Sequence, residues 1–174
     1  WRWVGGVEAE HGPRIMKVDT NGLMTTIAGT GSSFTEGGQA KGMKISGDWR
    51  EDSSLVVDGS GNIYFSRKIA GLGTTAYSIC KISPEGVLTT VAGGGSNHPP
   101  DEGSIAATSV KIEDQYNPPR LAVDSSGNLY FWDNTWRWVG GVEAEHGPRI
   151  MKVDTNGLMT TIAGTGSSFT EGGQ

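Results

Sequence analysis

The chain has 174 residues, a net charge of −5, 28 glycines and a single cysteine, enough for one ordinary domain or a piece of a larger one. Acidic and basic residues are interspersed with no basic run, which argues against a surface that tracks nucleic-acid phosphates. No apolar stretch approaches the roughly 20 residues needed to span a bilayer as a helix, and no Cys/His cluster has zinc-ligand spacing, so neither a membrane span nor a cofactor is expected.

Glycine far exceeds its ordinary share of about 7%, but it recurs at fixed places, so turn chemistry explains it better than disorder. The sequence begins at Trp1 with neither an initiator Met nor a signal-like apolar segment and reads as an excised or processed piece. Cys80 stands where the repeat described next otherwise carries Met, which points to a buried small hydrophobe and not a nucleophile.

Self-similarity dominates the chain. Residues 14–31 return in looser form at 78–95, with 8 of 18 positions identical, and letter for letter at 149–166. The exact copy is longer still: residues 1–39 equal residues 136–174 at all 39 positions, an offset of 135.

In chain order, residues 15–18 and 23–28 flank Asp19-Thr-Asn-Gly22, a hairpin signal whose Asn-Gly tolerates left-handed backbone. These are strands C and D of a repeating unit. Next comes Leu55-Val-Val-Asp-Gly-Ser-Gly-Asn-Ile-Tyr-Phe65, two short β-branched and aromatic runs around a tight Asp-x-Ser-Gly loop, predicting strands A and B with positive φ at Gly61. A second C–D pair follows at 79–82 and 87–92 around Ser83-Pro-Glu-Gly86, where Pro84 suits the first central turn position. A second A–B pair, 121–131, has Gly127 at the turn, and the third C–D pair completes the order CD, AB, CD, AB, CD.

Strand A is apolar without alternation (Leu121, Ala122, Val123), as expected if both sheet faces are covered. The D-to-A connections, 32–54 and 96–120, share apolar positions (Met43 with Val110, Ile45 with Ile112), which predicts ordered segments packed on the rim of a propeller built from these sheets. The B-to-C connections, 67–77 and 133–148, should emerge on the same side, giving one face with all the long loops. Four-stranded antiparallel sheets repeated radially make β-propeller blades. The expected fold is therefore all-β, with residues 1–39 as a half-blade, 40–95 as the first complete blade and 96–174 as the second.

The pattern Arg-Ile-x-Lys-Val-Asp-x-x-Gly-x-x-Thr-Thr-x-Ala-Gly-x-Gly, followed by an Ala-Thr-Ser-like segment and Leu-Ala-Val-Asp-Ser-Ser-Gly-Asn-Leu-Tyr-Phe, resembles the NHL-repeat β-propellers. The likeness is to those of large bacterial surface proteins and of teneurins. It implies six blades around a channel, partner binding as the usual role, and an extracellular or cell-surface location. The chain departs from that family in holding two complete blades and one extra C–D half.

Three chains would supply six A–B and nine C–D hairpins, where a six-bladed ring needs six of each. The surplus hairpin has the same sequence as its rival, so the two can compete for one docking site. That is the logic of strand exchange, and it closes a ring or runs on as a fibre. An isolated two-blade piece exposes apolar faces and edges, so either self-association with other copies of the chain or residence within a longer chain is expected.

For other chemistry, Trp132-Asp-Asn-Thr-Trp-Arg-Trp138 stands out, with Trp1 and Trp3 in its copy. Trp132, Trp136, Trp138, Arg137, Trp1 and Trp3 are candidate binding residues for a protein or glycan on the long-loop face. The competing reading, packing between blades or over the rim, outweighs this, because exposed aromatics alone specify no ligand.

Asp19, Asp58, Asp124 and Asp154 sit beside turn glycines, but they lack the alternating acids and distal Glu of a calcium loop, so turn capping is expected. Glu8, Glu10, His11 and their copies Glu143, Glu145 and His146 read as solvated groups on a flexible acidic loop in preference to a metal site. The expectation is a non-catalytic structural and interaction module. The alternative is a metal-dependent enzyme resembling six-bladed lyases or lactonases, for which the inner strands offer little beyond Asp58 and Asp124.

Overall fold

The computed structural model describes residues 13–45, 54–69, 76–113, 118–133 and 148–164 in full, together with four short strands, Arg2–Val4 (β1), Val7–Ala9 (β2), Arg137–Val139 (β13) and Val142–Ala144 (β14). Strand β1 pairs with β2, and β13 with β14. The 133–148 connection thus contains a hairpin of its own where the sequence reading had a loop. Trp138 and Val139 before the Gly140-Gly141 pair, and Val142 after it, have the β-branched and aromatic character that favours this.

Three antiparallel sheets carry the rest. Sheet I is Ile15–Val18 (β3) with Met24–Ala28 (β4). Sheet II is Leu55–Val57 (β5), Ile63–Lys68 (β6), Ala76–Ile82 (β7) and Leu88–Gly93 (β8), paired in that order. Two short strands, Ile105–Ala106 (β9) and Ile112–Glu113 (β10), lie in the connection that follows. Sheet III is Leu121–Val123 (β11), Leu129–Asp133 (β12), Arg149–Val153 (β15) and Leu158–Ala163 (β16), again paired in order. The fold is all-β with antiparallel sheets, and each predicted hairpin is present.

One turn design closes the hairpins. Asp58 Oδ1 accepts the amides of Ser60 and Asn62, both at 2.9 Å, while its Oδ2 accepts Asn62 Nδ2 at 2.7 Å and the Tyr64 hydroxyl at 3.2 Å. Asp124 repeats this with Ser126, Asn128 and Tyr130. Asp19 and Asp154 cap the C–D turns through the amides two and four residues on. Gly61 and Gly127 both take φ +84°, a left-handed value that favours a residue without Cβ.

The sheets stack face to face, and each interface has its own apolar core. Between sheets I and II lie Ile15 and Ala28 from the first, and Phe65, Cys80, Ile82 and Leu88 from the second. Between II and III lie Tyr64, Tyr77, Ile79 and Ala92 facing Leu129, Phe131, Met151, Val153 and Met159. Period-2 alternation along β7 sends Cys80 and Ile82 one way and Ile79 the other, and a register shift between Ile79 and Cys80 sets Ala92 opposite Ile79 while Leu88 stays opposite Ile82, so sheet II is covered on both sides. The first strands of sheets II and III, β5 and β11, approach each other.

In their described parts, 32–45 and 96–113, the D-to-A connections are ordered, as their shared apolar positions imply, but they pack between the sheets and not on a rim. Each makes a 3-10 turn, at Ala40–Gly42 and Ala107–Ser109, and buries its apolar residues in the adjacent interface: Ala40, Met43 and Ile45 between I and II, Ala107, Val110 and Ile112 between II and III. Each also pairs with the outer strand of the next sheet, Gln39 with Val87 and β9 with β16. The glycines of the Ala-Gly-x-Gly motif permit the close approach. A Cβ on Gly31 or Gly95 would run into the backbone of Gly42 or Ser109, respectively.

Strand A departs from expectation. It is covered on one face only, with Val56 packed inward and Leu55 and Val57 exposed. Among the described residues, sheet I has no A and B strands to lie over them.

Candidate interaction surface

The two identical C–D hairpins occupy opposite ends of the stack, and opposite faces of them are bare. In sheet III, Val153 and Met159 are 4% and 0% exposed, buried against sheet II; their counterparts in sheet I, Val18 and Met24, are 58% and 60% exposed. Met16 and Met151 differ in the same sense. The other face reverses the relation. Ile15 and Ala28 are buried against sheet II, while Ile162 and Ala163 are exposed and Ile150 is half-buried. Equal sequence gives equal intrinsic preference, so the neighbouring sheet alone accounts for the difference.

Trp132 belongs to this second bare face. It lies inside β12, in register with Ile150, and is 53% exposed between the buried Phe131 and Asp133. Tyr130 and Ala122 continue the same face along β12 and β11, with Lys152 Nζ 5.9 Å from the Tyr130 ring centre. The sequence reading placed Trp132 on a long loop. Strand alternation instead puts it on the open side of sheet III, a location hidden from sequence because only the fold says which sheet is last. Arg137 and Trp138 lie in β13 and Trp3 in β1, while Trp1 and Trp136 lie outside the described residues.

Polar groups anchor sheet III more firmly than sheet I. Arg149, buried, donates to Asp133 Oδ2 at 2.6 Å across the β12–β15 pair and to Asp101 Oδ1 at 2.9 Å. Its counterpart Arg14 is exposed. Strand β15 is paired on both edges, whereas among the described residues β3 pairs only with β4.

The segment after sheet I is tied to sheet II. The Arg67 guanidinium stands 3.8 Å over the Phe34 ring, Glu36 accepts the Thr90 amide at 2.7 Å and its hydroxyl at 2.8 Å, and Leu88 exchanges backbone bonds with Gly37 and Gly38. Cys80 is buried beneath sheet I, and burial raises its thiol pKa, so the thiolate that would be needed for nucleophilic chemistry is disfavoured.

No group of three or more His, Cys, Asp or Glu among the described residues is arranged to hold a metal ion. The oxygens of Asp58 and Asp124 are engaged by turn donors. Glu8 and Glu143 lie in β2 and β14; Glu10, His11, Glu145 and His146 lie outside the described residues. Among the described residues no helix is long and apolar enough to cross a membrane.

These features define an all-β stack of antiparallel sheets whose prominent surface is apolar sheet face at both ends. Comparison with known protein families and with curated proteins gave no match.

Proposed function

We propose that the chain is a non-catalytic, NHL-type β-propeller module that self-associates through its sheet faces and presents its long-connection side for binding. In this reading sheets II and III are two blades of a six-bladed ring, completed by further copies or by a longer chain, and sheet I is the surplus half-blade. The observation that carries it is the reciprocal exposure of Val18 and Met24 at one end and Ile162 and Ala163 at the other, residues whose twins Val153, Met159 and Ala28 are buried and Ile27 half-buried within the same chain. Contiguous apolar faces of this kind mark association sites, and a head-to-tail interface of unlike faces builds a ring or a fibre. Protein or glycan ligands on the long-connection side, and an extracellular location, follow from the resemblance to NHL propellers. Size-exclusion chromatography with light scattering tests the core of the proposal. Particles of three or more copies are expected, with rings visible by negative-stain microscopy, and a well-folded monomer at tens of micromolar overturns it.

A further inference from the structure

The polarity of the stack specifies what each bare face can receive. At both internal interfaces, the face carrying the Ile15-type and Ala28-type residues meets the face carrying the Met16-type and Met24-type residues: Ile15 and Ala28 against Cys80 and Leu88, then Ile79 and Ala92 against Met151 and Met159. The open face of sheet III, with Ile150, Ile162 and Ala163, is of the first type. It could meet a second copy in two places. One is the open face of that copy's sheet I. The other is the face of that copy's sheet II, once its own sheet I has left.

Leu55 and Val57 decide between them. At the interface of sheets II and III, the corresponding Leu121 and Val123 pack against the core because strands A and B of sheet II lie across from them. At the interface of sheets I and II, Leu55 and Val57 are 46% and 55% exposed, because sheet I, among the described residues, has strands C and D alone. Sheet III brings all four strands. Its C–D half is identical in sequence to sheet I and so carries every side chain that docks on Phe65, Cys80, Ile82 and Leu88. Its A–B half adds Ala122, Tyr130 and Trp132 on the same face. Stacking onto the open face of sheet I would leave Leu55 and Val57 bare.

Resting on the self-association proposed above, we infer that copies join by exchange: sheet III of one chain displaces sheet I of the next, taking the place of residues 14–29 on sheet II and covering Leu55 and Val57 with Tyr130 and Trp132. The copy that leaves is the first. Among the described residues, strand β3 has one partner strand and is preceded by the exposed Arg14, whereas β15 has two partner strands and the buried Arg149–Asp133 pair. The gain in buried apolar face favours four strands over two, and each exchange leaves the interface between the C–D hairpin and sheet II unchanged in sequence. Three copies with all three first hairpins displaced contain six complete sheets.

Substitutions in the full chain, followed by light scattering at matched concentrations, separate the outcomes. Val57→Asp and Ile162→Asp each change a residue exposed in the monomer, so the fold of the single chain is retained; circular dichroism checks this. Both should weaken association at least tenfold. Met24→Asp, on the face of the hairpin that leaves, should associate as the unsubstituted chain does. If Met24→Asp becomes monomeric while Val57→Asp still assembles, exchange is overturned in favour of end-to-end stacking and self-association stands. Assembly of Ile162→Asp at the unsubstituted level also overturns exchange. A monomeric unsubstituted chain removes self-association itself, and exchange with it.

Discussion

Asp124 shows how much of this fold depends on single side chains. Hydrogen bonding from the Asn128 side chain, then from its amide, the Tyr130 hydroxyl and the Ser126 amide, outweighs desolvation and lowers the carboxyl from an ordinary 3.8 to about 2. Asp58 is also lowered, with partial burial opposing the bonds from Asn62, Ser60 and Tyr64. A carboxyl depressed in the folded state stabilises above its unfolded value, and that contribution is lost as pH falls through the folded one. Stability should therefore hold down to about pH 4 and fall towards pH 2. Asp58→Asn with Asp124→Asn should flatten that acid limb in urea titrations across the range.

Asp133 is a different case, since its removal deprives the buried Arg149 charge of its 2.6 Å partner and leaves the half-exposed Asp101 beside it. Asp133→Ala should cost about 3–5 kcal/mol, the usual penalty for breaking a buried pair. Gly95→Ala forces a Cβ into the Ser109 backbone and should cost about 1–3 kcal/mol. Gly42→Ala, with open space around the site, should stay within about 0.5 kcal/mol; chemical denaturation reads all three.

At the scale of elements, the hairpin 14–29 is the weakest part of the stack. It buries one face on sheet II through Ile15 and Ala28 and leaves the other in solvent. Two strands alone are marginal, so its docking should open before the rest unfolds. Cys80 lies directly beneath and reports this opening. Its buried, neutral thiol should react slowly with an alkylating reagent in the native protein, and Ile15→Asp should speed labelling roughly tenfold by easing local opening. Unchanged labelling in that variant, with sheet II still folded, would mean that the hairpin does not cover Cys80 in solution. The connections 30–45 and 94–113 behave otherwise, since each buries three or more apolar side chains between sheets and hydrogen-bonds the outer strand beyond.

At the scale of the whole molecule, what matters is the order in which sheets cover one another. Sheet II has neighbours on both sides, and sheets I and III have one each. The legible part of this in the sequence was the local part. Asp-x-x-Gly turns, β-branched runs and shared apolar positions in the connections are short-range signals, and the turn aspartates cap as their spacing implies. The buried thiol followed from its place in the repeat. The site was much less legible. Trp132 stood out by composition, but its position on an open sheet face depends on strand register and on sheet III being last in the stack. Leu55 and Val57 gave no signal at all, because the apolar pattern of strand A is the same whether a neighbour covers it or not.

By itself the sequence determined the hairpins, their turns and the fact of repetition, since dihedral preferences and turn hydrogen bonds act over a few residues. Which of two identical segments buries which face was settled by the packing of the sheets. Burial depends on what lies across the sheet, and residues 14–29 and 149–164, alike in every letter, have different neighbours.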